Sequence, residues 1–217
     1  MSFAAEDRRY WDRKAESQAF AHPLNPGWLT SLLKTARILD YGCGYGRIVA
    51  ELAAGGWREA VGIDFSPAMI DRGRREHPGL DLRCVSALPL DEPPETFDAI
   101  LIFAVLTTIT ADKDQDTLMT ELRRVLKPGG LLYLSDYPLQ TDDRYLARYG
   151  AGLGRHGVYG VWDREDGGLF RHHSRERLEA LLAGFNILEQ REIATTTLSG
   201  SPAVAIQVLA RRSAAEP

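Results

Sequence analysis

Short apolar runs alternate along this chain with longer segments in which apolar residues recur every three or four positions. Runs of the first kind predict buried strands, and segments of the second kind predict amphipathic helices. Because strands and helices alternate, we expect an α/β fold whose mainly parallel sheet has helices on both faces. The predicted strands are residues 37–41, 59–64, 80–84, 97–103, 130–136, 185–193 and 203–211.

Two of the predicted helices carry clear end signals. Ser66 followed by Pro67 indicates a helix start, because serine caps the first turn and proline fits the first helical position. A later helix is predicted to begin near Asp112 and to end at the Lys-Pro-Gly-Gly sequence of residues 127–130.

Residues 138–173 interrupt this alternation. Two alternating runs flank an Asp-Gly-Gly turn there, which predicts a β-hairpin insert after the fifth strand. The insert lies on the side where open α/β sheets bind ligands. It is either a solvated insertion or a substrate lid, and its aromatic content favours the lid. The glycines expected to attach it are Gly150, Gly152, Gly154 and Gly157.

These patterns predict a single domain over residues 1–217. Within it, residues 1–30 are expected to form an N-terminal helical cap whose charged helix carries Tyr10 and Trp11. Residues 138–173 are expected to form the substrate-lid insert.

Composition narrows the classes of function. The chain has 217 residues, 44% hydrophobic and 26% charged, which is ordinary for a globular protein. Its net charge is −4 without a basic stripe, which disfavours nucleic acid as a partner. It contains no membrane-length apolar run, no signal-peptide pattern near residues 6–9, and only two cysteines. We therefore expect a cytoplasmic protein with a small-molecule partner, without membrane partners, and we consider a homodimer as its assembly.

The strongest signal for function is the sequence Ile-Leu-Asp-Tyr-Gly-Cys-Gly-Tyr-Gly-Arg at residues 38–47. A buried strand ends in Asp40 and passes into glycines at alternate positions, after which a helix begins. Such glycines allow positive φ angles and let a ligand approach the backbone, while the helix N-terminus favours negative charge. The loop is suited to a charged small molecule, although a glycine turn in an unrelated α/β protein would look similar.

The spacing of this loop distinguishes between cofactors. A dinucleotide-binding loop would have its third glycine at the position of Arg47. Asp40 would repel a pyrophosphate but suits an ammonium group, and Asp64, at the end of the next strand, can accept ribose hydroxyls. S-adenosylmethionine therefore fits better than NAD.

With these motifs the chain resembles the class I S-adenosylmethionine-dependent methyltransferases. The resemblance runs from about residue 36 to 137 and includes residues 97–109 and 121–136. It resumes more loosely over 174–211. It implies a Rossmann-like sheet of seven strands, mostly parallel, with an antiparallel final hairpin built from 185–193 and 203–211. It also implies S-adenosyl-L-methionine as cofactor and S-adenosyl-L-homocysteine as product.

The same resemblance implies where the cofactor binds. Asp40 and the glycine loop would surround the methionine part, with backbone groups at 42 and 103 near its ammonium. Asp64 would hold the ribose, and Phe65 and Met69 would lie against the adenine. The implied cofactor-binding residues are Tyr10, Asp40, Gly42, Cys43, Gly44, Gly46, Asp64, Phe65, Met69, Cys84, Val85, Ser86 and Phe103.

Two departures from the family pattern affect the interpretation. Cys84 stands where an aspartate often receives the adenine amino group, and a thiol is a weak acceptor. Either the backbone of Val85 and Ser86 recognises the base, or adenine is bound more loosely. The end of strand four lacks both the Asn/Asp-Pro-Pro-aromatic element of nucleic-acid amino-methyltransferases and the acidic ligands of Mg²⁺-dependent enzymes, so we expect no metal.

The acceptor side is harder to identify, because methyl transfer needs a protein base only when the acceptor must lose a proton. The candidate catalytic residues are His172, His173 and Tyr137, with Asp136 and Tyr10 as further candidates. Only one of the adjacent histidines should face the pocket, since side chains alternate in an extended run.

The sequence thus predicts methyl transfer to O, N, S or C of a small metabolite or natural-product intermediate. The alternatives are a cofactor-binding or regulatory protein without turnover and, less favoured, a nucleic-acid or protein methyltransferase.

Overall fold

The structure is a computed structural model that describes residues 5–213, without the side chain of residue 5. Its strands are β1 Ile38–Tyr41, β2 Ala60–Asp64, β3 Asp81–Cys84, β4 Phe97–Phe103, β5 Leu126–Asp136, β6 Val161–Asp163, β7 Leu169–Arg171, β8 Phe185–Thr196 and β9 Pro202–Arg212. Its α-helices are α1 Ala5–Lys14, α2 Arg47–Ala54, α3 Pro67–Glu76, α4 Asp112–Val125, α5 Asp143–His156 and α6 Arg175–Leu181.

The central sheet has seven strands in the order β3-β2-β1-β4-β5-β9-β8. Strands β1 to β5 pair in parallel, whereas β9 runs antiparallel to both β5 and β8. This confirms the predicted Rossmann-like sheet and its antiparallel final hairpin. Each predicted strand is present, although β5 begins at Leu126, several residues earlier than expected.

Helices cover both faces of this sheet because each buries an apolar stripe against it. On one face, α4 contributes Leu118, Leu122 and Val125 to a core shared with α6. On the other face, α2 contributes Ile48 and Leu52 to a second core. Helix α4 begins at Asp112 as predicted and ends at Val125, just before the predicted Lys-Pro-Gly-Gly stop. Ser66 caps α3 by accepting a hydrogen bond from the Met69 N–H (3.2 Å). None of the helices within residues 5–213 is long and apolar enough to cross a membrane.

The insert contains the predicted hairpin, in which β6 pairs antiparallel with β7. It also contains α5 (Asp143–His156), a helix that the sequence analysis did not predict, in the region where glycine attachments were expected. The Asp142 side chain accepts a hydrogen bond from the Tyr145 N–H (3.3 Å) at the helix start, and Gly157 ends the helix at φ +70°. A Cβ at Gly152 would collide with the carbonyl oxygen of Val161, so this glycine lets the helix pack on β6.

The N-terminal segment covers the carboxyl ends of the parallel strands. Its charged helix, expected over about residues 1–20, ends at Lys14, and residues 1–4 of the expected cap lie outside the described residues. The Asp12 carboxylate accepts a hydrogen bond from Ser66 Oγ (2.5 Å), and Arg72 donates to the carbonyl of Ala15 (2.7 Å). These contacts attach α1 to α3 beside the glycine loop.

Candidate functional site

A cavity of about 720 Å³ opens at the carboxyl ends of β1, β2, β4 and β5. Its floor comes from the residues that end or follow these strands, and its walls come from α1, the segment 19–22, the insert and the β8–β9 turn. This is where open parallel sheets bind ligands, because the loops of adjacent strands diverge there.

The glycine loop is held in shape by the neighbouring strand. The N–H groups of Gly42 and Cys43 both donate to the carbonyl of Ile63 (2.8 and 3.0 Å). Gly44 has φ +55°, and a Cβ there would lie 2.5 Å from Phe20 Cε2. The glycine thus allows the N-terminal segment to close directly over the loop.

Asp64 ties this loop to the start of α3. One carboxylate oxygen accepts a hydrogen bond from the Gly44 N–H (2.9 Å) and the other accepts one from the Ser66 N–H (2.8 Å). Burial raises the pKa of Asp64 to about 6, against the lowering effect of those N–H donors. A carboxylate oxygen has more than one lone pair, so Asp64 retains capacity to accept hydroxyl groups from the cavity.

Asp40 lines the cavity with an uncompensated oxygen. Its residue is 2% exposed, and its Oδ2 has no hydrogen-bond partner within residues 5–213. Burial raises the pKa of Asp40 to about 7. A buried polar atom is normally hydrogen-bonded, so this oxygen indicates a missing donor.

Two side-chain nitrogens that line the same cavity also have no partner. His22 Nε2 and Arg47 Nε are both buried without a partner in the described part of the chain. Arg47 also donates from Nη2 to the His22 carbonyl (2.5 Å), which holds the two residues together. Burial lowers the pKa of His22 to about 4, and Arg47 contributes to that lowering.

This set of groups fits the expected cofactor. An unpartnered carboxylate suits an ammonium group, unpartnered donors suit a carboxylate, and Asp64 offers acceptors for a ribose diol. Together they match the amino-acid end and the sugar of S-adenosylmethionine. The sequence did not predict His22 as a cofactor-binding residue, because it belongs to no motif. Arg47 was noted only as the residue that replaces the third glycine of a dinucleotide-binding loop.

Nine of the thirteen predicted cofactor-binding residues line this cavity, and four do not. The residues that line it include Phe65, Met69, Val85 and Phe103, besides Asp40, Asp64 and the loop residues 42–44. The predicted residues that do not line it are Tyr10, Gly46, Cys84 and Ser86.

The four residues outside the cavity have other surroundings. Gly46 precedes α2 at φ +80° with its Cα facing Leu82, and the exposed Cys84 thiol lies 3.9 Å from the Phe65 carbonyl oxygen. Val85, in contrast, lines the cavity, but its N–H donates to the carbonyl of Asp64 (2.9 Å) and is not free to recognise the adenine.

Tyr10 contacts the hairpin of the insert and does not line the cavity. Its hydroxyl donates to the Asp166 carboxylate (3.2 Å), and its ring packs edge-on against Phe170. Trp11, the next residue, lines the cavity instead. Tyr10 therefore connects α1 to the hairpin rather than facing the cavity.

The two adjacent histidines face opposite ways, as their extended backbone predicts. His172 lines the cavity and stacks on the ring of Tyr137, with 5.1 Å between centroids. His173 does not line it; the His173 Nε2 lies 2.8 Å from the Gln115 amide nitrogen on α4. His173 therefore joins elements of the core.

Tyr137 and Asp136 also differ in access. Tyr137 lines the cavity, and its hydroxyl donates to the carbonyl of Thr196 (3.1 Å). Asp136 is not a lining residue, and its carboxylate accepts hydrogen bonds from the N–H groups of Tyr137 and Thr107 (2.8 and 3.3 Å). Burial raises the pKa of Asp136 to about 7. In the described ranges, no group of three or more His, Cys, Asp or Glu side chains could hold a metal ion.

Comparison with known proteins agrees with this geometry. Residues 38–130 match the family model described as a methyltransferase domain. Human methyltransferase-like protein 27 is 35% identical over 133 residues, which are 59% of this chain and 52% of that protein. The ubiquinone biosynthesis O-methyltransferase of Paracidovorax citrulli is 29% identical over 160 residues, which are 69% of this chain and 65% of that protein. The chain thus spans about half to two thirds of these curated relatives.

A solved structure extends the similarity beyond the motif region. The crystal structure of an S-adenosylmethionine-dependent methyltransferase from Methanosarcina mazei matches with a TM-score of 0.82 and 26% identity, covering 89% of this chain and 100% of that one. The sheet order agrees with these matches, and the chain belongs to the class I S-adenosylmethionine-dependent methyltransferases.

Proposed function

We propose that this protein transfers the methyl group of S-adenosylmethionine to O, N, S or C of a small molecule. The observation that carries the proposal is the unpartnered Asp40 carboxylate beside the glycine loop, in a cavity that continues under the aromatic insert. When bound, the cofactor supplies an electrophilic methyl group. A lone pair or carbanion of the acceptor forms the new bond, and the departing sulfur keeps the electron pair of the broken one.

Three residues would hold the amino-acid end of the cofactor. Asp40 would accept from the ammonium, while Arg47 and His22 would donate to the carboxylate, which would give a partner to each of their buried unpartnered atoms. Asp64 would accept from the ribose hydroxyls. Phe65, Met69 and Val85 line the cavity beyond Asp64 and would surround the adenine.

The shape of the cavity favours a small acceptor. The insert, α1 and the β8–β9 turn enclose the space beyond the glycine loop, and aromatic side chains form much of its wall. A net charge of −4 offers little attraction for a polyanion. The name of the Paracidovorax citrulli relative, which refers to ubiquinone biosynthesis, is also consistent with a small acceptor.

On the acceptor side, we propose that Tyr137 and His172 contact the substrate, since both line the cavity. His173 and Asp136 would not contact the substrate. They would position Tyr137 and His172 by holding the backbone next to these two residues. Most of the catalysis would come from alignment of acceptor, methyl and sulfur, which is sufficient for displacement at an activated methyl group.

Calorimetric titration with S-adenosylmethionine and with NAD tests the cofactor assignment. We expect saturable binding of S-adenosylmethionine alone, and binding of NAD alone would contradict the proposal. Release of S-adenosylhomocysteine is then measured across a panel of small phenols, amines, thiols and carbon acids. Cofactor binding without release from any acceptor class would favour the alternative of a binding protein without turnover.

A further inference from the structure

The buried imidazole of His172 has an unusual set of neighbours. His172 is 2% exposed and is packed among the rings of Trp162, Tyr145 and Tyr137, with centroid distances of 4.4, 4.8 and 5.1 Å. These contacts on several sides hold the ring in one orientation. His172 nevertheless lines the cavity, in the part beneath the insert.

One nitrogen of this ring is engaged away from the cavity. His172 Nδ1 lies 2.6 Å from the hydroxyl oxygen of Tyr149, and Tyr149 is not a lining residue. The same hydroxyl oxygen accepts a hydrogen bond from the Gln140 N–H (3.1 Å). Gln140 is itself anchored, because its side chain bonds both the N–H and the carbonyl of Val204 (2.9 Å each).

This chain of hydrogen bonds determines the tautomer. The Tyr149 oxygen accepts from the Gln140 N–H, and among the described residues His172 Nδ1 is the one acceptor within reach of the phenol proton, so a satisfied phenol donates to Nδ1. The ring proton of a neutral His172 must then be on Nε2. Burial, reinforced by His173 and nearby arginines, lowers the pKa of His172 well below its usual range. The imidazole is therefore neutral near pH 7.

The second nitrogen is directed at the remaining free space. Nε2 has no hydrogen-bond partner in the described part of the chain, yet it is not among the fully buried unpartnered atoms found there. Since Nδ1 faces Tyr149, the opposite edge of the ring borders the cavity. On the acceptor side of the cavity, the fixed imidazole N–H is thus surrounded by aromatic side chains, namely Trp11, Tyr137, Tyr145, Trp162 and Phe170, and the buried indole N–H of Trp162 also has no partner in the described part of the chain.

We propose that His172 determines acceptor specificity as a hydrogen-bond donor, recognising through Nε2–H the carbonyl or phenolate oxygen of a planar, conjugated acceptor. The proposal rests on the proposed methyltransferase function and names the substrate class of that site. A site built to donate a hydrogen bond discriminates against an isostere without the oxygen, because the buried donor would be left unpaired.

The tautomer can be measured without any substrate. Long-range ¹H–¹⁵N spectra of protein labelled at histidine nitrogens report which ring nitrogen carries the proton, and His172→Phe assigns the signals. We expect a protonated Nε2 and an unprotonated Nδ1 at pH 7.5 in the wild type. Tyr149→Phe removes only the hydroxyl and should populate the other tautomer. A wild-type His172 that is cationic or protonated at Nδ1 would overturn the proposal.

Specificity is tested with two probes of nearly equal shape. Acetophenone carries a carbonyl oxygen, and α-methylstyrene has a CH₂ group in its place. Their affinities are measured with the cofactor site saturated by S-adenosylhomocysteine. We expect His172→Phe to lower the ratio of acetophenone to α-methylstyrene affinity by roughly five- to tenfold, the change that one neutral hydrogen bond brings. An unchanged ratio would refute the inference.

Control variants separate this effect from damage to the fold. His156→Phe changes a histidine of the insert that lies outside the cavity and bonds Asp163 (2.9 Å), and it should leave the ratio unchanged. The double variant Tyr149→Phe/His172→Phe leaves no unpartnered phenol and should show the same lowered ratio, so it replaces the single variant if that one does not fold.

Cofactor binding is measured in parallel. If His172→Phe leaves the affinity ratio unchanged while cofactor binding is intact, only the role of His172 is rejected. If the wild type does not bind the cofactor, the proposed function and the inference are both contradicted.

Discussion

Asp40 and Asp64 lie at the ends of neighbouring strands, but their carboxylates are compensated differently. Asp64 accepts hydrogen bonds from two backbone N–H groups, whereas one oxygen of Asp40 has no partner within residues 5–213. Burial raises the pKa of both, to about 6 for Asp64 and about 7 for Asp40. The residue with less compensation is the one that a cationic ligand would stabilise most.

This difference predicts how cofactor affinity depends on pH. Below pH 7 the Asp40 carboxyl of the free protein is protonated, and an ammonium group binds the ionised form. We expect the affinity for S-adenosylmethionine to rise as pH rises from 5.5 to 8, approaching tenfold per pH unit below about pH 7. Calorimetry across this range checks it. Asp40→Asn should weaken binding at pH 8 by roughly tenfold or more and leave a shallower profile centred nearer pH 6.

The raised pKa of Asp40 also makes the stability of the folded protein depend on pH. Because the folded-state pKa of Asp40 is raised, the folded protein keeps a proton that the unfolded chain releases. The contribution of Asp40 to the stability of the unliganded protein should therefore fall as pH rises from about 4 to 7, and Asp40→Asn should raise the melting temperature at pH 8. Asp71→Asn, which changes an exposed carboxylate on α3, is the control. An equal effect of both variants would contradict the argument.

For Asp64, removal of the carboxylate should weaken the cofactor complex more strongly. Asp64→Ala removes the acceptor for the Gly44 N–H as well as the proposed ribose contact. We expect a loss of about 2–4 kcal/mol in binding free energy, measured by calorimetry.

Comparing S-adenosylhomocysteine with its 2′-deoxy analogue separates the two roles of Asp64. The wild type should discriminate between the ligands, and Asp64→Ala should not. Asp98→Ala removes a carboxylate that accepts from the Arg37 N–H (2.9 Å) near the opposite end of β4, and it should retain the discrimination.

At the level of elements, α5 shows why glycine content did not predict a helix within the insert. Its glycines predicted an attachment segment, yet Tyr145, Tyr149 and Gly152 follow the spacing of a buried helical face. Gly152 is required by the close approach of β6, whereas a Cβ at Gly150 or Gly154 would meet no neighbouring atom within 4 Å. Gly152 is therefore needed for close packing, whereas no neighbouring atom requires a glycine at position 150 or 154.

This assignment predicts opposite effects of equivalent substitutions in α5. Gly150→Ala and Gly154→Ala should each raise the free energy of unfolding by about 0.5–1 kcal/mol, because alanine restricts the unfolded chain and fits the helix. Gly152→Ala should lower it by about 1–3 kcal/mol through overpacking against Val161. Urea denaturation followed by circular dichroism measures all three. A stabilising Gly152→Ala would show that the helix does not approach β6 as described.

At the scale of the whole molecule, α1 and the hairpin meet across the mouth of the cavity. Lys14 forms an ion pair with Asp166 (2.7 Å), and the Tyr10 hydroxyl donates to the same carboxylate. Trp11 and Phe170, which line the cavity, pack edge to face at 6.2 Å. Two segments distant in sequence, both of which line the cavity, are therefore joined by a few polar and aromatic contacts.

Loss of this junction should speed cofactor exchange. Asp166→Ala removes the acceptor for Lys14 and Tyr10, and we expect S-adenosylmethionine to dissociate about two- to fivefold faster, since partly exposed ion pairs are weak. Stopped-flow fluorescence of Trp11 and Trp162 in the cavity wall follows the release. Asp163→Ala is the matched control, because Asp163 pairs with Arg155 and His156 inside the insert. Equal rates for both variants would argue against the junction.

The hairpin as a whole can be removed at a defined point. The His172 N–H donates to the carbonyl of Gly160 (2.9 Å), so an Asn-Gly turn can replace residues 161–171 between them. We expect cofactor affinity within about threefold of wild type and loss of methyl transfer to the acceptor found in the panel, because the hairpin closes the acceptor side. Full turnover in this variant would show that the insert is not a lid.

Local patterning was sufficient for the sheet, its final hairpin and the cofactor class. Period and length identify strands and helices, and the residues that identify the cofactor lie close together between Asp40 and Asp64. The alternation of an extended run was also enough to separate the directions of His172 and His173. These features depend on neighbours along the chain, so the chain itself carries them.

Long-range packing set the remaining features of the site. His22 pairs with Ser135, 113 positions away, and Tyr10 with Asp166, 156 positions away, and neither pairing leaves a local pattern. For the same reason Trp11 lines the cavity while Tyr10 faces the hairpin, and Tyr149 imposes a tautomer on His172. Side-chain direction in irregular segments, and proton position on a buried ring, follow from contacts that exist only once the chain has folded.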